Sequence, residues 1–431
     1  MREWSRYVYT CLFYIAVPIL LVRLWWRGRE SAGYRRNWWQ RFGFVPKVSS
    51  RSGPPLWIHA VSLGETIAIA PLVQRLLDQY PDLPIVMTSM TPTGKARAES
   101  LFGDHIQHFY CPYDLPDALS RFIKRLNPLG CLVVETELWP NMVAACEAQK
   151  VPLMVANARL SARSARGYHR VKSLAYPMMQ RLSYLVAQSD ADADRFRQLG
   201  VPNERIAVSG SIKFDIHVDP AQRREGELLK QRLTGRFVCM LASSHSDEEA
   251  QFLAASQSML ARFPQLLLLV VPRHPERFES VYQYFVDQLG MAAVARRSLP
   301  ASVTDSTRVV VGDTLGEMLL FYTAADVVVM GGSFVDVGGH NPVEPAAVKT
   351  PVFMGPFYHN FAVICDAMVE SGGMAYVESM SQALEKTASM MVEPAPLLGM
   401  GAAAFAYAES QRGALDRLFL QVEKRLINPP V

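Results

Sequence analysis

The stretch "LWIHAVSLGETIAIAPLV", Leu56 to Val73, changes period in the middle. Its first residues are a short apolar run. After Ser62-Leu63-Gly64-Glu65 the apolar positions recur at Ile69, Leu72, Val73, Leu76 and Leu77, the spacing of one helix face. A buried strand feeding a helix is the repeating unit of a parallel α/β sheet. Ser62 to Glu65 has the S-x-x-E form of a capping box, which by itself explains the glutamate as a helix cap. The same position is the carboxyl end of a strand, where open parallel sheets bind their ligands.

The pattern recurs outward from this stretch. "LPIVMTSM", "IQHFYC", "GCLVVET", "VPLMVANA" and "YLVAQS" read as further strands of a first domain. The text turns polar between Phe214 and Arg232, and a second set follows: "FVCMLASS", "LLLLVVPRH", "TRVVVGD", "ADVVVMGGS" and "TPVFMGP". A chain of 431 residues exceeds one ordinary core. The expectation is two doubly wound Rossmann-like domains facing a cleft, over 49–218 and 219–431, preceded by an N-terminal segment, 1–48.

That segment differs in kind. Val8 to Val22 carries no charge, and Trp25 and Trp26 extend the run past Arg23. No small-residue cleavage site follows, so a membrane anchor is expected, as a single span or a deep monotopic helix. A helix lying on the membrane surface and a helix of a soluble protein are the alternatives. Arg23, Arg27, Arg29, Arg35, Arg36 and Arg41 follow the run, against Arg2 and Arg6 before it, which places the body on the cytoplasmic side.

Composition removes several classes. Half the residues are hydrophobic and 19% are charged, a globular balance. A net charge of +4 without a basic block argues against nucleic acid as a partner. The 6 cysteines show no metal-ligand or disulfide spacing. GxGxxG after the first strand, GxxxxGK[ST], HExxH and GxSxG are all missing, which removes dinucleotide, P-loop, zincin and serine-hydrolase readings.

What remains is polar residues at strand ends. "GGSFVDVGGHNPVEPAAVKTPVFMGP", Gly331 to Pro356, joins a glycine loop to a helix start at Asn341, Pro342, Val343 and Glu344. Amides and a helix N-terminus there suit a phosphate, and a carboxylate suits ribose hydroxyls. Ordinary capping by Asn341 is the simpler explanation. Pro272, Arg273 and His274 close another strand, where a guanidinium can grip a phosphate or merely pair with Glu276. Leu315, Gly316 and Glu317 open a further helix. Together these describe a nucleotide site in the second domain.

In the first domain Thr93, Gly94 and Lys95 open a helix, Glu135 and Glu137 end a strand, and Lys213 stands near the junction. "SDADADRF" resembles a metal-binding DxD, but reads better as Ser189 capping a helix with an acidic first turn.

Taken in order, "HAVSLGE", "ETELWPN", "NARLS", "SGSIKFD", "PRHPERF", "GDTLGEM" and "GGHNPVEPA" resemble the 3-deoxy-D-manno-octulosonic acid (Kdo) transferases of lipopolysaccharide synthesis over essentially the whole chain. Ser244 and Ser246 stand where family members often show other small residues. The resemblance implies a GT-B glycosyltransferase at the cytoplasmic face of the inner membrane. It would move Kdo from CMP-Kdo to lipid IVA, the tetraacylated, bisphosphorylated lipid A precursor, by an inverting reaction that needs no metal or cofactor. It further implies Glu65 as proton acceptor, Glu135 and Lys213 as transition-state stabilisers, and Pro272, Arg273, Leu315 to Glu317 and Asn341 to Glu344 as the CMP site. Arg163 and Arg166 are candidates for the acceptor phosphates by charge. A nucleotide-sugar epimerase and a membrane-tethered nucleotide-binding protein are the rival readings.

Overall fold

The computed structural model describes residues 4–29, 31–48, 53–216, 218–233, 235–299 and 303–428. Arg2 and the expected domain start at residue 49 lie outside them. The chain divides by contact into two compact units, Met1–Asp215 with Arg412–Val431, and Ile216–Gln411.

The first unit holds a seven-stranded parallel sheet. Its strands are β1 (Leu56–His59), β2 (Ile85–Ser89), β3 (Ile106–Tyr110), β4 (Gly130–Val134), β5 (Leu153–Ala158), β6 (Tyr184–Ala187) and β7 (Ile206–Val208). They lie in the order β3-β2-β1-β4-β5-β6-β7, so the winding reverses between β1 and β4. The central strands are buried on both faces, which is why they read as continuous apolar runs. The helix Leu63–Gln79 follows β1 and buries Ile69, Leu72, Val73 and Leu76 against the sheet, as its spacing predicts.

The second unit repeats the plan with β8 (Phe237–Ser244), β9 (Leu266–Pro272), β10 (Val294–Arg296), β11 (Val309–Val311), β12 (Val327–Met330), β13 (Val352–Met354) and β14 (Met374–Tyr376). Their order is β10-β11-β9-β8-β12-β13-β14. The ends of β9, β8, β11 and β12 therefore gather along one edge of the sheet.

The sequence assigns everything from residue 219 onward to the second domain, but Arg412–Val431 groups with the first unit. The reason is apolar. In the helix Ala414–Val422, Leu418, Phe419 and Val422 are fully buried in the same core as β1 and the helix Leu63–Gln79. Asp215 fastens its start by accepting from the amides of Gly413 and Leu415 at 2.6 Å each. The Arg75 guanidinium stacks 4.4 Å from the Phe419 ring and pairs with Asp416.

Phe419→Ala is accordingly expected to lower the stability of the first unit by about 3–5 kcal/mol, the usual cost of a large core truncation. Urea or thermal unfolding followed by hydrogen exchange in the first sheet checks this. An unchanged transition would remove the C-terminal helix from that core.

Candidate active site

In the first unit three strand ends bring the expected residues together. Glu65 sits in the first turn of the helix after β1, Glu135 directly follows β4, and Lys213 lies in a short 3-10 turn, Ile212–Phe214, after β7. Glu135 has φ +58°, a left-handed conformation that a glutamate rarely adopts. Its amide donates to the Ala156 carbonyl at 2.9 Å. Asn157, at φ +53°, turns the end of β5, and its fully buried side chain accepts from the Ile212 amide at 3.3 Å, fixing the turn that carries Lys213.

The capping box forms. The Glu65 carboxylate accepts from the Val61 amide at 2.8 Å and from the Ser62 hydroxyl at 3.0 Å, while Ser62 Oγ accepts from the Glu65 amide at 3.4 Å. These bonds favour the ionised form, yet burial outweighs them, and the neighbouring charges of Glu137 and Glu135 add to it. The carboxyl is pushed up to about 7. Each carboxylate oxygen keeps a lone pair beyond its capping bond, so the cap does not consume the group's capacity to take a proton.

Lys213 Nζ lies 3.9 Å from Glu135. Burial pulls the ammonium below its ordinary range, with Glu135 opposing and Arg159 adding to the shift. Glu137 was not assigned a role from sequence. Burial raises its carboxyl despite a 3.2 Å bond from Trp139 Nε1, and its charge weighs more on Glu65 than that of Glu135. The signal was there in "ETELWPN", as a second acid at the same strand end.

Other candidates prove structural. Lys95 pairs with Glu99 at 2.6 Å. Asp192 is nearly buried and accepts from the Leu160 amide at 2.9 Å and the Ser189 hydroxyl at 2.6 Å, while Asp194 pairs with Arg197. The acidic "SDADADRF" run is a capped helix start.

In the second unit Pro272 ends β9 and Arg273 projects beyond it, exposed. Among the described residues the Arg273 guanidinium has no hydrogen-bond or ion-pair partner, and Glu276 lies beside His274 at 3.9 Å instead. Its charge acts on Glu344, whose carboxyl is nonetheless raised by burial, with the 3.4 Å bond from Asn341 Nδ2 opposing. Asn341 Oδ1 accepts from the Val343 amide at 3.1 Å, but the cap residue is Pro342, and the helix Val343–Ala347 is only five residues long. So short a helix has little dipole, which weakens that part of the phosphate argument. The glycines have packing reasons: a Cβ on Gly331 would lie 2.5 Å from the Ser243 carbonyl oxygen, and Gly338 has φ +99°.

Leu315 to Glu317 follow β11 on the same sheet edge. Leu315 is exposed and Gly316 turns at φ +80°. The Glu317 carboxylate is gripped at two points by Arg297, at 2.8 and 3.1 Å, and by the Thr314 hydroxyl, so this loop can offer a ligand its backbone and the Leu315 side chain.

Three histidines complete this edge and were not assigned from sequence. His245, His274 and His340 each follow a strand end; His245 Nε2 and His340 Nε2 are 3.0 Å apart, and the rings of His245 and His274 are 5.5 Å apart. Burial and then the charge of Arg273 lower His340 to about 3; burial also lowers His245. Glu248, fully buried, accepts from the amides of His245, Gly332 and Phe334 and so ties the β8 and β12 loops together. The arrangement sets one open guanidinium, Arg273, beside the Glu344 carboxyl, which suits an anion attached to a polyhydroxylated group.

Comparison with known proteins agrees with this chemistry. Residues 36–216 match the family model described as 3-deoxy-D-manno-octulosonic-acid transferase (kdotransferase). The 3-deoxy-D-manno-octulosonic acid transferase of Haemophilus influenzae is 38% identical over 415 residues, covering 96% of this chain and 97% of that one. The enzyme of the same name from Bordetella pertussis is 36% identical, with 96% and 97% covered. UDP-GlcNAc 2-epimerase from Neisseria meningitidis superposes with a TM-score of 0.55 over 86% of this chain and all of that one, at 14% identity, a likeness of fold alone. With two seven-stranded Rossmann-like units of the GT-B class and relatives aligned nearly end to end, the chain belongs to the Kdo transferase family, the glycosyltransferases that add 3-deoxy-D-manno-octulosonic acid in lipopolysaccharide biosynthesis.

Proposed function

We propose that the chain transfers Kdo from CMP-Kdo to lipid IVA, the tetraacyldisaccharide 1,4'-bisphosphate precursor of lipid A, in an inverting, metal-independent reaction that releases CMP. The observation that carries the mechanism is the Glu65 carboxyl at about 7, where a general base is best matched to neutral pH. Glu65 takes the proton of the acceptor sugar hydroxyl as that oxygen bonds to the anomeric carbon of Kdo. The bond from that carbon to the cytidylate phosphate breaks, and its electron pair leaves with CMP. A direct displacement of this kind inverts the anomeric centre.

Glu135 offsets the positive charge that develops on the sugar, and Lys213 lies 3.9 Å from it. Pro272, Arg273, Leu315, Gly316, Glu317, Asn341, Pro342, Val343 and Glu344 hold CMP. Arg273 meets the phosphate and Glu344 the ribose. A fixed guanidinium at the leaving phosphate supports the metal-independent reading.

In this reading 1–48 anchors the chain, the rest of the first unit with Arg412–Val431 takes the acceptor, and Ile216–Gln411 takes the donor, on the cytoplasmic side of the inner membrane. The exposed Arg163 and Arg166 meet the acceptor phosphates.

Purified protein, CMP-Kdo and lipid IVA should give the Kdo-bearing lipid by mass spectrometry with a chelator present; a requirement for divalent cation would overturn the metal-free assignment. Glu65→Gln, which can still cap, should cut the transfer rate 10²- to 10⁴-fold, roughly the contribution of a positioned base, with CMP affinity nearly kept. Arg273→Ala should weaken CMP binding at least tenfold, read by calorimetry. Arg163→Ala with Arg166→Ala should raise acceptor KM and leave donor KM alone.

The pH dependence has a fixed sign. A base must be ionised, so the rate should climb as pH rises to about 7 and then level. Stability runs the other way: a carboxyl raised from 4.5 to about 7 on folding favours the fold below pH 4.5, and that advantage is lost as pH rises to about 7. Above pH 7 Glu65→Gln should therefore be more stable than wild type by roughly 1–3 kcal/mol. A flat difference between the two proteins from pH 4 to 8 would show that Glu65 titrates normally.

A further inference from the structure

The N-terminal helix, α1 (Trp4–Arg27), is long and apolar enough to cross a bilayer, and both of its faces are apolar. What each face meets is nevertheless distinct. Tyr9, Phe13, Val17, Leu20 and Leu24 are half-buried and lie on one side, spaced three or four apart. Phe13, Val17 and Leu20 pack on Tyr113, Leu115 and Ala118 of the first unit. Trp4, Val8, Leu12, Ile15, Ile19, Val22 and Trp26 form the opposite stripe, also spaced three or four apart, and remain exposed, with Ile15 and Ile19 at 72% and 70%.

The docked face is fastened by polar bonds along its length. Arg6 and Thr10 donate to Asn141 Oδ1 at 3.3 and 3.1 Å. Tyr9 hydrogen-bonds Asp114, and Tyr14 donates to Asp117 at 2.5 Å. Asp117 in turn pairs with Arg121 at 3.1 Å. These partners decide the geometry. Were α1 to cross the bilayer while docked, the wall bearing Asp117 and Arg121 would enter the hydrocarbon beside it. An ion pair on the polar surface of a folded domain is costly at that depth. Were it to cross undocked, every one of those bonds and the Phe13–Leu20 packing would be lost.

One placement keeps both faces satisfied. We propose that α1 is an in-plane anchor: it stays docked along the first unit and sinks only its outward stripe into one leaflet of an anionic bilayer, without crossing it. The occupant of the stripe is the lipid surface because the ends of the stripe are aromatic and its carboxyl end is basic. Arg29 and Arg35 lie over the Trp25 ring at 4.6 and 5.0 Å, and Arg27 over Tyr34 at 5.4 Å. Tryptophan backed by arginine is the pairing that settles at anionic headgroups. The inference rests on the membrane anchoring proposed above and adds its geometry, which leaves the amino end of α1 on the same side of the membrane as the globular units.

The full chain carrying an epitope tag ahead of Met1 tests this in intact spheroplasts and in inverted inner-membrane vesicles. With protease added outside, tag and globular units should be cleaved in the same preparation and protected in the other. Cleavage of the tag in the preparation that protects the globular units would overturn the proposal. Sedimentation with phosphatidylglycerol-containing vesicles separates this failure from that of anchoring itself. Ile15→Asp should lower vesicle binding at least tenfold, and unchanged binding would remove the stripe from the membrane and the proposal with it.

Discussion

The Glu65 carboxyl is held by opposing effects, and the chemistry of the first unit depends on which prevails. The Val61 amide and the Ser62 hydroxyl stabilise the charge as any helix cap does. Burial at the mouth of β1, with Glu135 and Glu137 nearby, opposes it and prevails. A cap glutamate in open solvent would stay ionised and be too weak a base near neutrality. Burial raises the carboxyl, the capping bonds restrain the rise and the neighbouring acids add to it, which leaves the midpoint near 7.

The second unit solves a different problem, that of keeping cations available beside acids. "SSHSDEE" places two glutamates just after β8, and either could neutralise Arg273. Neither does. Glu248 binds three amides across two loops, and Glu249 takes the Arg277 guanidinium and the Ser244 hydroxyl. With these acids engaged elsewhere, Arg273 keeps an open guanidinium among the described residues, and its charge acts on Glu344 and His340. The low value of His340 comes first from burial, and the charge of Arg273 adds to it.

The strands that could be read from sequence are those buried on both faces. β1, β4, β5, β8, β9 and β12 are continuous apolar runs because parallel sheets are covered on each side. β7, β10 and β14 escaped, and all three are three-residue edge strands with partly exposed side chains. Three partly exposed residues are too few to show an apolar run, whereas the edge strand β3, five residues long and mostly buried, was legible as "IQHFYC". The site residues were legible as residue types at strand ends. Their bonding was not: nothing in "GDTLGEM" says that Glu317 belongs to Arg297, twenty residues upstream. Likewise, apolar spacing at Leu418, Phe419 and Val422 announces a buried face but not which core receives it.

α1 shows the same limit more sharply. Length and hydropathy alone make the helix apolar enough to span and do not tell its two sides apart. The difference between them lies in Thr10, Tyr9 and Tyr14, residues mild enough to pass a hydropathy window. Each finds its partner more than a hundred residues away, at Asn141, Asp114 and Asp117. Hydroxyls facing hydrocarbon would have to bond back to their own helix; facing a domain, they bond to it and fix its rotation. The polar residues of a hydrophobic helix thus carry the information on which side it shows to lipid, and only the fold of the rest of the chain makes that information readable.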